Sequence, residues 1–212
     1  MADWVVISSL ATAGGTLGLA ATTYASVRSA NRAARTAEQS MLAELRPLLI
    51  ESSVDDPPLR VNFADVTAIT APGGGAGVEL VDDKLYVVLS LRNVGRGIGV
   101  LHGGRLSPAR LSASVDHAPL EEFHMLTRDI YVPSGKIGFW QIAFRDPADR
   151  ERQALVDAIE QGSFGAEVLY GDYEGGQRVI TRFSVLRENE RWQLSAVRHW
   201  QVDRPAPRHL TA

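Results

Sequence analysis

The densest run of side chains able to do chemistry lies between residues 116 and 129, where Asp116, His117, Glu121, Glu122, His124, Arg128 and Asp129 follow closely. Imidazoles titrate near neutrality, and carboxylates bind cations or carry protons. His117, Glu121, Glu122, His124 and Asp129 are therefore a candidate acid–base or cation site, on a long connection that ends at Tyr131. A solvated loop between sheets is the plainer reading of the same residues. A second candidate, Arg198, His199 and Trp200 beside Asp203 and Arg204, offers charge and an aromatic face for a surface recognition patch. The remaining histidines, His102 and His209, stand apart. Neither His-Glu-x-x-His nor Gly-x-Ser-x-Gly occurs, and there is no cysteine, so disulfides, thiolate metal sites and cysteine nucleophiles are excluded. No cofactor is called for by any motif.

Two glycine-rich stretches could imitate nucleotide loops. In 72–77 no Gly-Lys-Ser/Thr follows, and the stretch is expected to be a flexible loop. In Asn93-Val-Gly95-Arg-Gly97-Ile-Gly99 no helix follows to receive a pyrophosphate. Alternate glycines in a strand context predict a bulge or a tight crossover between sheets.

The elements that must position these residues fall into two regions. The 212 residues, 45% hydrophobic and 22% charged, are of ordinary globular composition. The formal net charge of −3 gives no basic surplus, so nucleic acid is not an expected partner. Four arginines and three acids give the first 47 residues a net charge of +1, and the remainder carries −4.

Residues 4–27 carry no charge and are long enough for one membrane span, with Leu10, Leu17 and Leu19 as the bulk of its middle. A signal peptide wants a basic start, and only Asp3 precedes the run. Arg28, Arg32, Arg35 and Arg46 follow it, so the positive-inside rule predicts a single-pass inner-membrane protein whose head is cytoplasmic. Gly14 and Gly18 form a GxxxG, and Ala30, Ala34 and Ala37 continue a small-residue stripe along a helical stalk over 28–47. Together they make a homodimer through a short coiled coil a possible assembly, with a stalk packed on its own head as the rival.

From residue 48 to 204 the period changes to two. Residues 84–93 place Leu85, Val87, Leu89 and Leu91 on one face of a strand. Further strands are expected at 48–52, 60–64, 78–81, 101–106, 110–115, 135–145, 165–170, 177–186 and 191–201. One helix opens at Asp149, buries Leu155, Val156 and Ile159, and ends at Gly162. The expected fold is mainly β: an antiparallel, immunoglobulin-like β-sandwich with one inserted short helix, preceded by a long transmembrane-plus-stalk helix. The tail, 205–212, is expected to be extended and poorly ordered.

The stretches Thr23-Tyr-Ala-Ser-Val-Arg-Ser-Ala-Asn-Arg-Ala-Ala-Arg, Leu91-Arg-Asn-Val-Gly-Arg-Gly, Thr127-Arg-Asp-Ile-Tyr-Val-Pro and Tyr170-Gly-Asp-Tyr-Glu-Gly-Gly carry a resemblance. They resemble single-span membrane proteins of high-GC, actinobacterial-type bacteria, in which a basic helical stalk precedes a β-sandwich. The resemblance implies that architecture over nearly the whole chain, and implies no activity, cofactor or binding residue.

The expectation is a membrane-anchored interaction or scaffold protein without enzymatic activity, attached to the bilayer through 4–27, with a protein partner that the sequence does not identify. The alternatives are a small hydrolase or lyase using the 116–129 cluster, and a sandwich binding carbohydrate or peptide through exposed aromatic residues.

Overall fold

The computed structural model describes residues 3–110, 112 and 115–203; for 3–8, 10–13, 39 and 43 the description is of the backbone. The chain divides into two compact units, residues 1–44 and 45–212.

The first unit is one helix, α1 (Asp3–Glu44), of 42 residues. No proline interrupts it before Pro47, and its Ala-rich sequence has high helix propensity. The Thr22 and Thr23 hydroxyls donate to the Leu19 carbonyl at 2.9 and 2.7 Å, so the polar groups of this stretch are satisfied within the helix. Every residue from Gly14 to Glu38 is exposed, including Leu17, Leu19, Tyr24 and Val27. Among the described residues no helix is long and apolar enough to cross a membrane. The span expected over 4–27 is therefore not shown. Its most apolar part, 4–7, has side chains outside the described residues, and Gly14 to Val27 is diluted by Gly, Ala, Ser and Thr.

The second unit is antiparallel and mainly β. Its strands are β1 (Leu49–Glu51), β2 (Leu59–Asn62), β3 (Ala68–Ala71), β4 (Gly75–Val81), β5 (Lys84–Asn93), β6 (Gly99–Ser107), β7 (His124–Val132), β8 (Ile137–Phe144), β9 (Ser163–Gly171), β10 (Val179–Glu188) and β11 (Arg191–Gln201). Helix α2 (Arg150–Glu160) stands between β8 and β9, and Asp149 caps it by accepting the Glu151 N–H at 2.8 Å.

Among the described residues nine strands join in one sheet, ordered β1-β5-β4-β11-β10-β9-β6-β7, with β8 on the other edge of β5. The sheet curls until its ends face each other. A Cβ on Gly104 of β6 would stand 2.5 Å from the Trp140 ring of β8, so only glycine admits that fully buried indole. The two separate sheets of an immunoglobulin-like sandwich are therefore not shown; one curled sheet stands in their place, and it passes from β5 through β4 to β11 at Ala76 and Gly75.

Leu85, Val87, Leu89 and Leu91 face the main core, as their period requires, with Trp140, Phe164, Tyr170, Phe183 and Leu155. The opposite face of β5 is buried as well. Tyr86 and Val88 pack under the β2–β3 hairpin through Val61, Phe63, Ile69 and Ala71, with Phe63 edge-on to Tyr86 at 4.9 Å.

The glycines of 72–77 are not a flexible loop. They form the tight entry to β4, where side chains at 73 and 75 would collide with the backbone of Ser53 and Trp192. The stretch 93–99 is the expected crossover, carrying the chain from β5 to β6. Asn93, wholly buried, holds it with four hydrogen bonds: Oδ1 accepts from Leu48 N (3.1 Å) and Gly95 N (3.0 Å), and Nδ2 donates to Gly97 O (2.7 Å) and Val132 O (2.9 Å). The strand expected at 110–115 is not formed by its described residues, of which 111, 113 and 114 are not part. In its place β7 begins at His124, so the polar connection read from 116 to 129 is half segment and half strand.

Candidate functional site

The outer face of β6, β7, β9, β10 and β11 is built in rows of residues paired across neighbouring strands. In the first row Arg182 lies opposite Glu167, and Arg105 follows on β6. The Arg182 guanidinium donates to Glu167 Oε1 through Nε (2.9 Å) and Nη2 (2.6 Å). Its remaining donors reach the carbonyls of Ser112 (2.8 Å), Val115 (2.8 Å) and Asp116 (2.7 Å), and Glu167 Oε2 accepts the Ala118 N–H at 3.1 Å. A buried charge pair with all its hydrogen bonds made is thus the peg on which segment 115–123 hangs. In the next row Leu169, Ile180 and Trp200 are covered by Ala118 and Phe123 of that segment.

This arrangement disperses the sequence candidates. Trp200 is 7% exposed, with the Arg182 guanidinium 4.6 Å and the Arg198 guanidinium 4.9 Å from its ring centre and the His117 ring edge-on at 5.6 Å. It is a core side chain of the outer face, not a surface platform. His199 points from the other face of β11, and its Nδ1 lies 2.7 Å from Thr181 Oγ1, which in turn lies 2.9 Å from the Tyr170 hydroxyl. Desolvation lowers the His199 pKa, against the opposing pull of Glu51. Tyr170 accepts the Leu49 N–H at 3.1 Å, and burial pushes its pKa up to about 12.

The 116–129 residues part company too. His117 Nδ1 sits 2.7 Å from the Ala118 carbonyl. Glu121 and Glu122 lie on a single 3-10 turn, where Glu122 pairs with Arg105 at 3.0 Å. His124 meets Glu151 at 3.2 Å and stands edge-on to Phe144. Asp129 accepts the Tyr131 hydroxyl at 3.0 Å. Among the described residues no three His, Asp or Glu side chains gather closely enough to hold a metal ion. Gly14, Gly18, Ala30, Ala34 and Ala37 lie exposed along α1.

The third row of the outer face is exposed at its Tyr131 end, while Val100 and Gly171 within it are buried. Tyr131 lies opposite Val100, Val100 opposite Gly171, and Arg178 follows just before β10, its carbonyl accepting the Val202 N–H at 2.9 Å. His102 is the extra residue where the pairing of β6 with β9 slips between Leu101 and Gly103, and at the same place residues 126–129 of β7 loop out of register with β6. Its ring settles on Gly171, where a Cβ would stand 2.8 Å from Nε2. Desolvation lowers the His102 pKa; Asp129 and Asp172 pull against that, and Arg178 adds to it. No hydrogen bond to either ring nitrogen is made among the described residues, so a neutral imidazole here keeps one donor and one acceptor for a visitor.

Two exposed phenols belong to the same end of the sheet. Tyr131 is 51% and Tyr173 72% exposed, and they are close enough for Tyr173 to contribute to the raised pKa of Tyr131, whose main cause is the hydrogen bond to Asp129. Tyr173 rides on the turn between β9 and β10, which Asp172 ties by accepting the N–H groups of Gly176 (2.8 Å) and Gln177 (3.3 Å). At the far end Asp203 accepts the Arg178 backbone N–H and its Nη2, both at 2.7 Å, and these bonds lower its pKa. Sequence reasoning took Asp129 into its cluster but passed over His102, Tyr131 and Tyr173. The available signal was Gly103-Gly104 inside a strand, which marks a bulge beside His102.

A groove of about 360 Å³ runs between Glu51, Ser52, Val54, Gly74, Arg191 and Gln193. Its carboxylate is already engaged, since Glu51 Oε2 accepts the Ala196 N–H at 2.9 Å. No protein-family model matches the chain, and no curated protein matches it.

Proposed function

We propose that the chain is a tethered interaction protein without enzymatic activity: α1 holds it at a lipid surface, and the β unit binds a partner. The observation that carries this reading is the surface of α1. Leu17, Leu19, Tyr24 and Val27 stand 53% or more exposed, and Arg28, Arg32 and Arg35 follow at helical spacing on one side. Apolar bulk followed directly by clustered arginine is the pattern that anionic headgroups attract, at about 1 kcal/mol per basic residue near the surface. The resemblance to single-span proteins with a β-sandwich head supports the same reading, including the immunoglobulin-like form of the head and its cytoplasmic side. On the β unit, the exposed phenols of Tyr131 and Tyr173 support a binding role.

The test is flotation of the full chain with vesicles of phosphatidylglycerol and phosphatidylcholine. Co-flotation that weakens when Arg28, Arg32 and Arg35 become glutamate supports the tether; a chain that stays at the bottom of the gradient overturns it. Crosslinking in the same vesicles reports on a homodimer through α1, which Gly14→Leu with Gly18→Leu should abolish. Cysteines placed at Ala2 and at exposed Val66 read the orientation in intact cells, and labelling of position 66 alone from outside would reverse it.

A further inference from the structure

We propose that the rim of the β unit around Leu45 is a lipid contact of its own, which lies on an anionic bilayer and seats Leu45, Val94 and Ile98 among the headgroups. It rests on the reading of the chain as held at a lipid surface, and adds where the β unit touches that surface.

The rim is one connected surface. It is made by the entry segment 45–48, the β5–β6 crossover at 94–98, the β7–β8 turn at 133–136 and the β9–β10 turn at 172–178. Val94 N donates to the Leu48 carbonyl at 2.8 Å, Gly135 N to the Asn93 carbonyl at 2.8 Å and Ser134 Oγ to the Gly95 carbonyl at 2.6 Å. Arg46 Nε donates to Gln177 Oε1 at 3.1 Å, which joins the last turn to the entry segment. A side chain at Gly97 would collide with the Leu45 carbonyl, so the crossover packs directly on the entering backbone.

That packing decides what faces out. Gly95 and Gly97 lie against 45–48, so Val94, Arg96 and Ile98 alternate outward between them. Val94 is 48%, Ile98 42% and Leu45 37% exposed, although all three are aliphatic. Tyr131 and Tyr173 stand exposed at the same end, and phenols settle readily at the level of lipid headgroups.

The charge of the unit is polarised along the same axis. Arg46, Arg96 and Lys136 belong to the rim, and Glu44, one residue before Leu45, subtracts one charge. Of the acids at this end, Asp172 is buried in its turn, Asp203 is held by Arg178, and Glu174 faces solvent. The β4–β5, β8–α2 and β10–β11 connections at the other end hold Asp82, Asp83, Asp146, Asp149 and Glu190 against Arg145. An anionic surface therefore attracts the rim and repels the far end. Arg35 of the tether precedes Leu45 by about 15 Å of helix, so a bound α1 keeps the rim within reach of the headgroups.

Because the protein has no cysteine, single cysteines report without background. Leu19→Cys, Ile98→Cys and Leu80→Cys, each in the full chain and labelled with the fluorophore NBD, report the tether, the rim and the opposite end. Leu80 is an exposed aliphatic control on β4. With vesicles of phosphatidylglycerol and phosphatidylcholine, the labels at 19 and 98 should brighten at least three-fold and be quenched by nitroxide-bearing lipid. The label at 80 should do neither. A response at 19 but not at 98 leaves the tether standing and overturns the rim contact. A response at 98 alone overturns the tether and supports the rim as a lipid site. Equal responses at 98 and 80, or none at any position, overturn the rim contact. Concentration-dependent shielding of the 98 label without vesicles assigns the rim to a second copy and overturns it too. As a label-free measurement, Val94→Ser with Ile98→Ser and Lys136→Glu should weaken vesicle binding at least ten-fold at an unchanged urea midpoint, since all three side chains are exposed. Unchanged vesicle binding overturns the proposal.

Discussion

Arg182 Nη2 and Glu167 Oε1 meet at 2.6 Å beneath segment 115–123, with 1% and 3% of their side chains exposed. Removing one partner leaves the other charge buried and alone, which costs about 3–5 kcal/mol. Glu167→Leu and Arg182→Met should each lower the unfolding free energy by that margin, read from urea denaturation. The double variant should recover part of the loss, because no orphan charge remains. Arg182→Met should also free 112–118 to proteolysis, since it takes away the donors to the Ser112, Val115 and Asp116 carbonyls. Limited digestion with an elastase-type protease reads this directly.

Asn93 joins three segments that are distant in sequence, and no other residue type satisfies two acceptors and two donors at that place. Asn93→Ala should destabilise the β unit by roughly 3 kcal/mol or more, from several buried polar groups left unpaired. Asn93→Asp keeps the shape but loses both donors, and should be nearly as damaging at neutral pH. Denaturant unfolding of the full chain measures both.

Val66 sits at the tip of the β2–β3 hairpin with φ of 68° and is 88% exposed. A β-branched residue in that region is strained by about 1–2 kcal/mol, and no burial offsets the strain. Val66→Asn should raise stability by about 1 kcal/mol, seen as a later unfolding midpoint with an unchanged slope. A lower midpoint would overturn the assignment of strain to Val66.

His102 and His199 are both held below the ordinary value of 6.5, chiefly by desolvation. As pH falls through that value the unfolded chain takes up protons while the folded one does not. Stability therefore rises with pH in this window and is lost on acidification below it. The urea midpoint should drop between about pH 7.5 and pH 5.5, and His102→Gln with His199→Gln should flatten the drop.

Much of this fold can be read from local pattern. The alternation in β5 names its core face, Asp149 and Gly162 bound α2 because capping and a left-handed exit are local needs, and the glycines of 93–99 announce a crossover. What escapes is set by partners remote in sequence. Tyr86 and Val88 look solvent-facing until the hairpin covers them, and that hairpin includes β3, whose Ala-Ile-Thr-Ala is too short to stand out. His124 to Val132 reads as a polar connection because β7 has an exposed flank, yet it is a strand. Trp200 looks like a recognition residue for the same reason, since only the Arg182 peg reveals its cover. The His102 row depends on a double slip in register, and no periodicity in one strand encodes that.

The placement of β11 between β4 and β10 has a consequence for synthesis. The strand made last of the eleven is interior to the sheet, and its partner β4 lies more than a hundred residues upstream. A nascent chain cannot complete this sheet strand by strand as it leaves the ribosome. Until residue 201 emerges, β4 and β10 both present unsatisfied edges, and closure then demands contacts of high sequence separation, which are intrinsically slow. The interval between translation and closure is when this protein is most exposed to self-association, and it is set by topology and not by final stability.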